Sequence, residues 1–213
     1  MFDVGKNKAI CVLPWVHEFK NISGKSAPCC HSSRSFKDNE TIEYVRESML
    51  KGIKPDICDT CYKNEEESDW SPRIQETNDW INKFSTPDIK NPIVEFIDVR
   101  YDPTCNLKCK TCGPDESTLW AKEKGVKVGV NKNNQDYLFG VDKKKLKKVY
   151  FAGGEPTYIK GYLEFLEALF LVNPVCEVVI NTNLKKLPDA WKDIITKFKN
   201  LTIICSCDAI EKL

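Results

Sequence analysis

The sequence has little of several features that point to common classes of protein. Its 213 residues carry no excess of either charge, since 32 Lys and Arg stand against 31 Asp and Glu. A nucleic-acid-binding protein would show a basic excess. No apolar run is long enough to cross a membrane, and the N-terminus, MFDVGK, lacks the basic and then apolar order of a signal peptide. We therefore expect a cytoplasmic protein with neither a nucleic-acid partner nor a membrane partner.

Histidine is also scarce, with two residues, whereas cysteine is abundant, with eleven. No histidine or cysteine stands out as an essential general base. In a reducing compartment, clustered cysteines more often serve metal or redox chemistry than a disulfide framework, and an odd number argues against complete pairing. Cys176, Cys205 and Cys207 lie in or beside apolar runs, so we expect them to be buried as small hydrophobic residues.

After Pro92, apolar runs alternate with helical patterns. The strand-like runs occupy residues 93–99, 148–152, 176–181 and 201–206. Strands that are apolar throughout and are separated by helix-length segments indicate βα repeats around a parallel sheet buried on both faces. Residues 124–140, with two glycines and several asparagines, are expected to form a mobile loop. The predicted fold class is α/β, with about four parallel strands.

Three cysteines directly follow the first of these runs. Cys105, Cys109 and Cys112 have the spacing C-x3-C-x2-C within CNLKCKTC. Three thiolates on one short loop can bind three irons of a 4Fe–4S cube and leave the fourth iron open for a substrate or cofactor. A zinc knuckle is an alternative, although structural zinc usually has four ligands in two short pairs. Three unrelated core cysteines are the other alternative.

Polar motifs follow the other three runs. They are Gly153-Gly154-Glu155-Pro156, then Asn181-Thr182-Asn183, then Ser206 with Asp208. The carboxyl ends of parallel strands form the functional edge of such a sheet. Two glycines let a ligand approach the backbone, a carboxylate suits an ammonium group, and the later side chains can bind hydroxyls such as those of a ribose. Each motif alone could be a turn, but four on one edge indicate a site.

The first part of the chain contains a second group of cysteines, which are Cys11, Cys29, Cys30, Cys58 and Cys61. A C-x2-C pair joined by two distant cysteines is how a segment with few apolar runs gains stability from a metal. Cys11, one of Cys29 or Cys30, Cys58 and Cys61 would complete a four-thiolate set, with zinc and a second iron–sulfur cluster both open. In the alternative, Cys29 and Cys30 are simply buried and only the pair binds metal.

Helix signals complete the first part. Thr41 can cap a helix that Gly52 ends, and a helical pattern over residues 62–84 is broken at Pro72, where Ser71 is a second cap. The proline-containing stretch after Phe84 is the best linker candidate. We expect a cysteine-rich, loop-and-helix metal-binding domain at residues 1–84, a linker at 85–92 and a βα domain at 93–213.

Residues from about 93 to 213 resemble the radical S-adenosylmethionine (radical SAM) enzymes. The resemblance lies in a strand followed by CNLKCKTC, then FAGGEP, NTN and SCDA in that order. It implies that Cys105, Cys109 and Cys112 hold a 4Fe–4S cluster whose fourth iron is chelated by S-adenosylmethionine. It further implies that Gly153, Gly154 and Glu155 meet the methionine amine, and that Asn183, Ser206 and Asp208 lie near the ribose.

The activity implied by the resemblance is that of an oxidoreductase. The reduced cluster cleaves S-adenosylmethionine to a 5′-deoxyadenosyl radical, which abstracts hydrogen from a substrate. Several relatives act on a peptide or protein, and an electron donor such as flavodoxin or ferredoxin is expected. The N-terminal segment, with CVLPW, PCC and CDTC, is similar to the SPASM or twitch auxiliary-cluster module, although here it precedes the barrel.

Full barrels of this family have six βα units, whereas four strand-like runs precede Leu213. We therefore expect a partial barrel, explained by a truncated chain, by a second chain that completes it, or by a reduced variant. The alternative to an enzyme is a non-catalytic or partner-dependent iron–sulfur or zinc module with a residual half-barrel.

Overall fold

The computed structural model describes residues 2–207 and forms two compact units. The first unit comprises Met1–Asn21 and Lys25–Phe96, and the second comprises Ile22–Gly24 and Ile97–Leu213. Among the residues described, no helix combines the length and the apolar character needed to span a bilayer.

The first unit is built from short helices and a hairpin. Its elements are α1 (Leu13–Val16), β1 (His17–Lys20), β2 (Ser26–Ala27), α2 (Ile42–Leu50), a 3₁₀ helix (Asp56–Cys58), α3 (Asp59–Glu67) and α4 (Pro72–Phe84). The strands β1 and β2 pair antiparallel, with Phe19 opposite Ala27. The Thr41 side chain accepts from Tyr44 N at the start of α2, and Ser71 accepts from Ile74 N at the start of α4. Both predicted caps are thus confirmed.

Polar contacts supplement a modest apolar core in this unit. Its largest fully buried side chains are Ile10, Trp15, Met49, Ile57 and Trp80. The guanidinium of Arg73 is almost fully buried; Nη2 lies 2.6 Å from Glu65 Oε2, and Nη1 donates to Ile10 O at 2.5 Å. A buried charge is tolerated only when it is paired and hydrogen-bonded, so this ion pair fixes α3, α4 and the N-terminal segment together.

The second unit contains the parallel sheet. Its elements are β3 (Phe96–Val99), α5 (Thr118–Lys124), α6 (Lys132–Gly140), a 3₁₀ helix (Lys143–Lys145), β4 (Lys148–Phe151), a 3₁₀ helix (Pro156–Tyr158), α7 (Lys160–Val172), β5 (Glu177–Thr182), α8 (Asp189–Ile195) and β6 (Leu201–Cys205). The strand order is β3-β4-β5-β6. Both β4 with β5 and β5 with β6 are parallel, and Val178 is opposite Val149 on one side and Leu201 on the other. The α/β class is therefore confirmed.

Aromatic side chains fill the space between this sheet and its helices. The ring of Phe151 on β4 lies 5.9 Å from those of Tyr162 and Phe165 on α7, and 6.4 Å from that of Trp191 on α8. These contacts pack α7 and α8 against β4, the strand that precedes the two glycines.

The strand β6 departs from the prediction that both faces of the sheet are buried. Ile203 and Ile204 are exposed, and so are Cys205 and Cys207, which makes their predicted burial wrong. Within the residues described, β6 pairs with β5 along one side and its side chains are left uncovered. Cys176, at the start of the interior strand β5, is buried as predicted.

The predicted mobile loop at residues 124–140 is also wrong, because α6 lies within it. Asn131 caps this helix by accepting from Asn134 N at 3.0 Å. Asn134 and Leu138 are buried, and Asn134 Nδ2 donates to Arg100 O at 3.2 Å. The asparagines that suggest a loop are therefore a helix cap and a tertiary anchor, two roles in which their side-chain amides bind backbone groups.

Candidate active site

Two of the predicted motifs meet at the carboxyl ends of β3 and β4. We call residues 105–112 the cysteine loop and residues 153–156 the glycine loop. Gly154 N donates to Asp102 O at 3.2 Å, and Glu155 N donates to Thr104 O at 2.7 Å. The glycine loop is thus hydrogen-bonded to the residues that lead directly into the first cysteine.

Both glycines are required by this contact. A Cβ on Gly154 would lie 2.1 Å from Thr104 O, a distance that real Cβ atoms do not reach. Gly153 has a φ of +110°, and a Cβ there would lie 3.1 Å from the Tyr162 hydroxyl. Glycine is the residue that tolerates such a backbone conformation and such a close approach. The pair therefore serves the packing of one loop on the other, whatever ligand the loops also hold.

The carboxylate of Glu155 is an internal anchor. This residue is 1% exposed. Its Oε1 accepts from Thr157 N at 3.1 Å, from Thr157 Oγ1 at 2.7 Å and from Thr182 Oγ1 at 2.5 Å. Its Oε2 accepts from Asn183 N at 2.8 Å. The bonds from Thr182 and Asn183 tie the glycine loop to the end of β5, and the two from Thr157 hold the carboxylate locally. A contact between Glu155 and a ligand ammonium stays a prediction beside this anchoring role.

Asn183 connects the end of β5 to the cysteine loop. Its Nδ2 donates to Asn106 Oδ1 at 2.8 Å, and its Oδ1 accepts from Lys185 N at 3.0 Å. The residues on either side of Cys105 are therefore both held, Thr104 by the glycine loop and Asn106 by Asn183. The third predicted motif thus joins the first two.

The fourth motif is described only in part. Ser206 follows β6, its Oγ donates to Asn181 Oδ1 at 2.7 Å, and its backbone N donates to Thr182 O at 2.9 Å. Asp208 lies outside the described residues. Ser206 thus lies beside the polar residues that end β5, where the sequence predicts it.

The cysteine loop is partly buried in its first part, whereas its last cysteine is exposed to solvent. Cys105 and Cys109 are half-buried, whereas Cys112 is exposed. Ser117 Oγ donates to Leu107 O at 2.7 Å, and Trp120 Nε1 donates to Cys109 O at 2.9 Å, so the start of α5 supports the loop from one side. Burial raises the pKa of the Cys105 thiol, against the opposing effect of a hydrogen bond from Leu107 N.

The types of side chain on the cysteine loop suit an iron–sulfur cluster, although the side chains are not arranged as in a formed metal site. In the chain from residue 2 to residue 207, no group of three or more His, Cys, Asp or Glu side chains is arranged to hold a metal ion. Three thiols on one loop, two of them partly accessible and one exposed, have the chemistry of cluster ligands. Their coordination of a cluster stays a prediction.

Two residues of this site escape the sequence reasoning. Tyr162 is fully buried, and its hydroxyl donates to Ala152 O at 3.0 Å and accepts from Tyr101 N at 3.1 Å, which holds the ends of β3 and β4 together. No sequence signal marks it, because it lies on α7 among apolar residues. Asn106 carries a usable signal, since it lies inside the cysteine motif itself.

The first unit contains a small pocket among its cysteines. Cys11, Cys29, Cys58 and Cys61 line it, together with non-acidic neighbours that include His31, Ser32 and Arg73. Cys30 is exposed and is not part of the lining. Of the two alternatives from the sequence, Cys29 is therefore the cysteine that lies with the other three.

The electrostatic environment of this pocket opposes free thiolates. Burial raises the pKa of all four thiols, to about 12 for Cys29. Backbone N–H groups partly oppose this shift, from Leu13 at Cys11, from His31 at Cys29 and from Arg73 at Cys61. Buried thiolates that accept N–H bonds are stabilised when a cation compensates their charge. The pocket thus brings four thiol donors together, and a bound cation would supply the positive charge that their thiolate forms need.

Comparisons with known proteins give partial matches. No family model and no solved structure matches the chain. It is 30% identical over 105 residues to a GTP 3′,8-cyclase from Helicobacter pylori, covering 49% of this chain and 32% of that protein. It is 26% identical over 129 residues to a GTP 3′,8-cyclase from Alkaliphilus oremlandii, covering 54% of this chain and 37% of that protein. The chain thus resembles part of these enzymes and spans about a third of their length.

Proposed function

We propose that this chain is a radical SAM enzyme in which Cys105, Cys109 and Cys112 hold a 4Fe–4S cluster and S-adenosylmethionine binds its open iron. The proposal is carried by the junction of three motifs around Cys105, through Glu155 N to Thr104 O at 2.7 Å and Asn183 Nδ2 to Asn106 Oδ1 at 2.8 Å. The partial similarity to GTP 3′,8-cyclases supports it, because those are radical SAM enzymes that use this cluster and cofactor.

The bound cluster and cofactor would supply one-electron reductive cleavage of the sulfonium, and the protein would supply binding and orientation. The three thiolates hold the cluster. The glycine loop would offer backbone carbonyls to the cofactor amine, while the Glu155 carboxylate holds that loop in place. Asn183, Ser206 and Asp208 are the candidates for hydroxyl contacts at the ends of β5 and β6.

A direct test is anaerobic reconstitution followed by dithionite-driven cleavage of S-adenosylmethionine to 5′-deoxyadenosine. We expect the wild-type protein to form 5′-deoxyadenosine, Cys109→Ala to form none, and the exposed control Cys205→Ala to match wild type. If wild-type protein with a full cluster forms none, or if Cys109→Ala changes nothing, the proposed activity is wrong. Uptake of zinc alone would favour the non-catalytic module instead.

We also propose a second metal site in the first unit, with Cys11, Cys29, Cys58 and Cys61 as ligands. The support is their common pocket, and four thiolates suit both a 4Fe–4S cluster and tetrahedral zinc. About eight irons per chain would indicate two clusters, and about four irons with one zinc would indicate a mixed pair. We expect Cys29→Ser to lose the second metal and the adjacent control Cys30→Ser to retain it. Equal loss in both variants would contradict the assignment of Cys29.

The first substrate to test is a purine nucleotide, because the relatives are named for GTP. The second substrate to test is a peptide or protein, which the resemblance to radical SAM enzymes implies because several of them act on one. Formation of 5′-deoxyadenosine above the substrate-free rate is the measurement, with dithionite in place of a flavodoxin or ferredoxin donor. Stimulation by GTP alone supports the nucleotide, and stimulation by peptides alone contradicts it.

A further inference from the structure

The hydrogen bonds around Asn183 determine the orientation of the Asn106 amide. A backbone N–H can only donate, so the Asn183 atom that lies 3.0 Å from Lys185 N must be the acceptor Oδ1. Asn183 therefore presents its Nδ2 to Asn106, at 2.8 Å. The Asn106 atom that meets it must in turn be Oδ1. The network thus fixes the oxygen and nitrogen of both amides, as amide assignment requires.

This orientation leaves one donor unused. Asn106 Nδ2 is buried and meets no acceptor among residues 2–207. A buried donor without a partner costs about 1–3 kcal/mol, and native proteins contain few of them. Asn106 directly follows Cys105 in the chain, and the bond from Asn183 fixes its amide so that Nδ2, and not Oδ1, is the atom left without a partner. The free donor is therefore positioned by the protein and lies next to a proposed cluster ligand.

We propose that Asn106 Nδ2 donates a hydrogen bond to a sulfur atom of the cluster bound at Cys105, and that Asn183 is the positioning residue that aims it. This inference rests on the proposed function and adds a residue that tunes the cluster. Hydrogen bonds to the sulfurs are one of the factors that set the reduction potential of an iron–sulfur cluster.

The direction of the effect follows from charge. One-electron reduction adds a negative charge to the cluster without moving a proton, and an N–H donor stabilises the more negative state more strongly. The bond therefore raises the midpoint potential of the cluster. Its loss makes the cluster harder to reduce, whether or not S-adenosylmethionine is present.

The test is an anaerobic redox titration of the reconstituted full-length chain, followed by EPR and without S-adenosylmethionine. At the wild-type midpoint potential, we expect the ratio of reduced to oxidised cluster to fall by up to about tenfold in Asn106→Leu, because only the difference between the hydrogen-bond energies of the two oxidation states enters this ratio. Asn133→Leu, the same change at an exposed position on α6, is the matched control and should leave the ratio unchanged.

A second variant acts without altering Asn106. In Asn183→Asp, one carboxylate oxygen still accepts from Lys185 N, and the other would face Asn106 as an acceptor. The Asn106 amide must then rotate, which directs Oδ1 toward the cluster in place of Nδ2. We expect a fall in the ratio at least as large as that in Asn106→Leu. The double variant Asn106→Leu/Asn183→Asp measures the effect of the added negative charge alone. The double-mutant cycle therefore separates this charge effect from the effect of rotating the Asn106 amide.

The outcomes separate this inference from the proposed function. If wild type takes up no iron–sulfur cluster, the proposed function fails. If wild type and Asn106→Leu both carry a full cluster with the same midpoint, the inference is wrong and the proposed function stands. A lower affinity for S-adenosylmethionine at an unchanged midpoint would also contradict it, since the donor would then serve the cofactor. Should neither Asn106→Leu nor Asn106→Ala bind iron, Asn106 builds the loop and does not tune it.

Discussion

Replacement of Glu155 tests the central structural claim about the site. The claim is that this carboxylate anchors the glycine loop to the end of β5. Glu155→Gln keeps the size of the side chain but replaces one accepting oxygen with a donor. Because three of the four bonds converge on Oε1, the amide oxygen should take that position and leave Nε2 facing Asn183 N. Two donors would then face each other where a charge-assisted bond existed.

The magnitude follows from the bonds that each variant loses. Glu155→Gln loses one bond to a charged group and leaves the backbone N–H of Asn183 unsatisfied, which costs about 1.5–3 kcal/mol. Glu155→Ala removes all four bonds, and each buried donor that finds no other acceptor costs about 1–3 kcal/mol. Because Glu155→Ala also removes a buried charge, whose desolvation is unfavourable, its total cost is smaller than the sum of four lost hydrogen bonds. We therefore expect both variants to be destabilised, Ala more than Gln.

Urea unfolding of the metal-free chain under reducing conditions measures these differences, with tryptophan fluorescence and circular dichroism as separate probes because the two units need not unfold together. Glu164→Gln is the control, since this exposed glutamate on α7 forms a surface ion pair with Lys160. Such a change alters the free energy of unfolding by no more than about 0.5 kcal/mol. If Glu155→Gln is as stable as this control, the carboxylate is not the anchor.

Two further predictions follow from other contacts. Gly154→Ala places a Cβ 2.1 Å from Thr104 O, a backbone atom that cannot rotate away. We therefore expect this variant to lower the free energy of unfolding by about 3 kcal/mol in the same urea assay. The control is Gly113→Ala, where an added Cβ has nothing within 4 Å and should change the free energy of unfolding by less than about 1 kcal/mol. Hydrogen bonds from Arg34 lower the pKa of Glu40 from 4.5 to about 2. The stabilisation from this pair is therefore complete above the unfolded pKa and is lost as the pH falls through the folded one. The stability difference between wild type and Arg34→Met should be constant from pH 7 to about pH 5 and smaller at pH 3, and a difference that grows on acidification would contradict it.

Local signals in the sequence identify local structure well. Thr41 and Ser71 are found as caps because a cap depends on hydrogen bonds to residues three positions away. The Asn-containing helix α6 is missed because the burial of Asn134 and Leu138 depends on distant parts of the fold. The exposure of Cys205 is missed for a related reason: an apolar strand in the sequence does not reveal whether anything covers it.

The site shows the same limit at a finer scale. The order of strands and motifs is enough to place the cysteine loop, the glycine loop and the end of β5 on one edge, because parallel strands end together. It does not reveal that Glu155 is held by Thr182 and Asn183, since those partners lie 27 and 28 positions later in the chain. A glutamate beside glycines suggests a ligand contact from sequence, whereas its four bonds in the structure are to protein groups.

The hydrogen bonds on either side of Cys105 hold the start of the cysteine loop, which affects how a cluster would bind there. Cys105 lies between Thr104 and Asn106, and each neighbour is held by a different strand end. Ordering one backbone residue costs about 1–2 kcal/mol, so the chain around Cys105 meets most of that cost on folding, before any cluster binds. Cys112, at the far end of the loop, is exposed. The fixed end is also the end beside the glycine loop and β5. A cluster bound here would therefore be located by Cys105, beside the predicted cofactor-binding motifs.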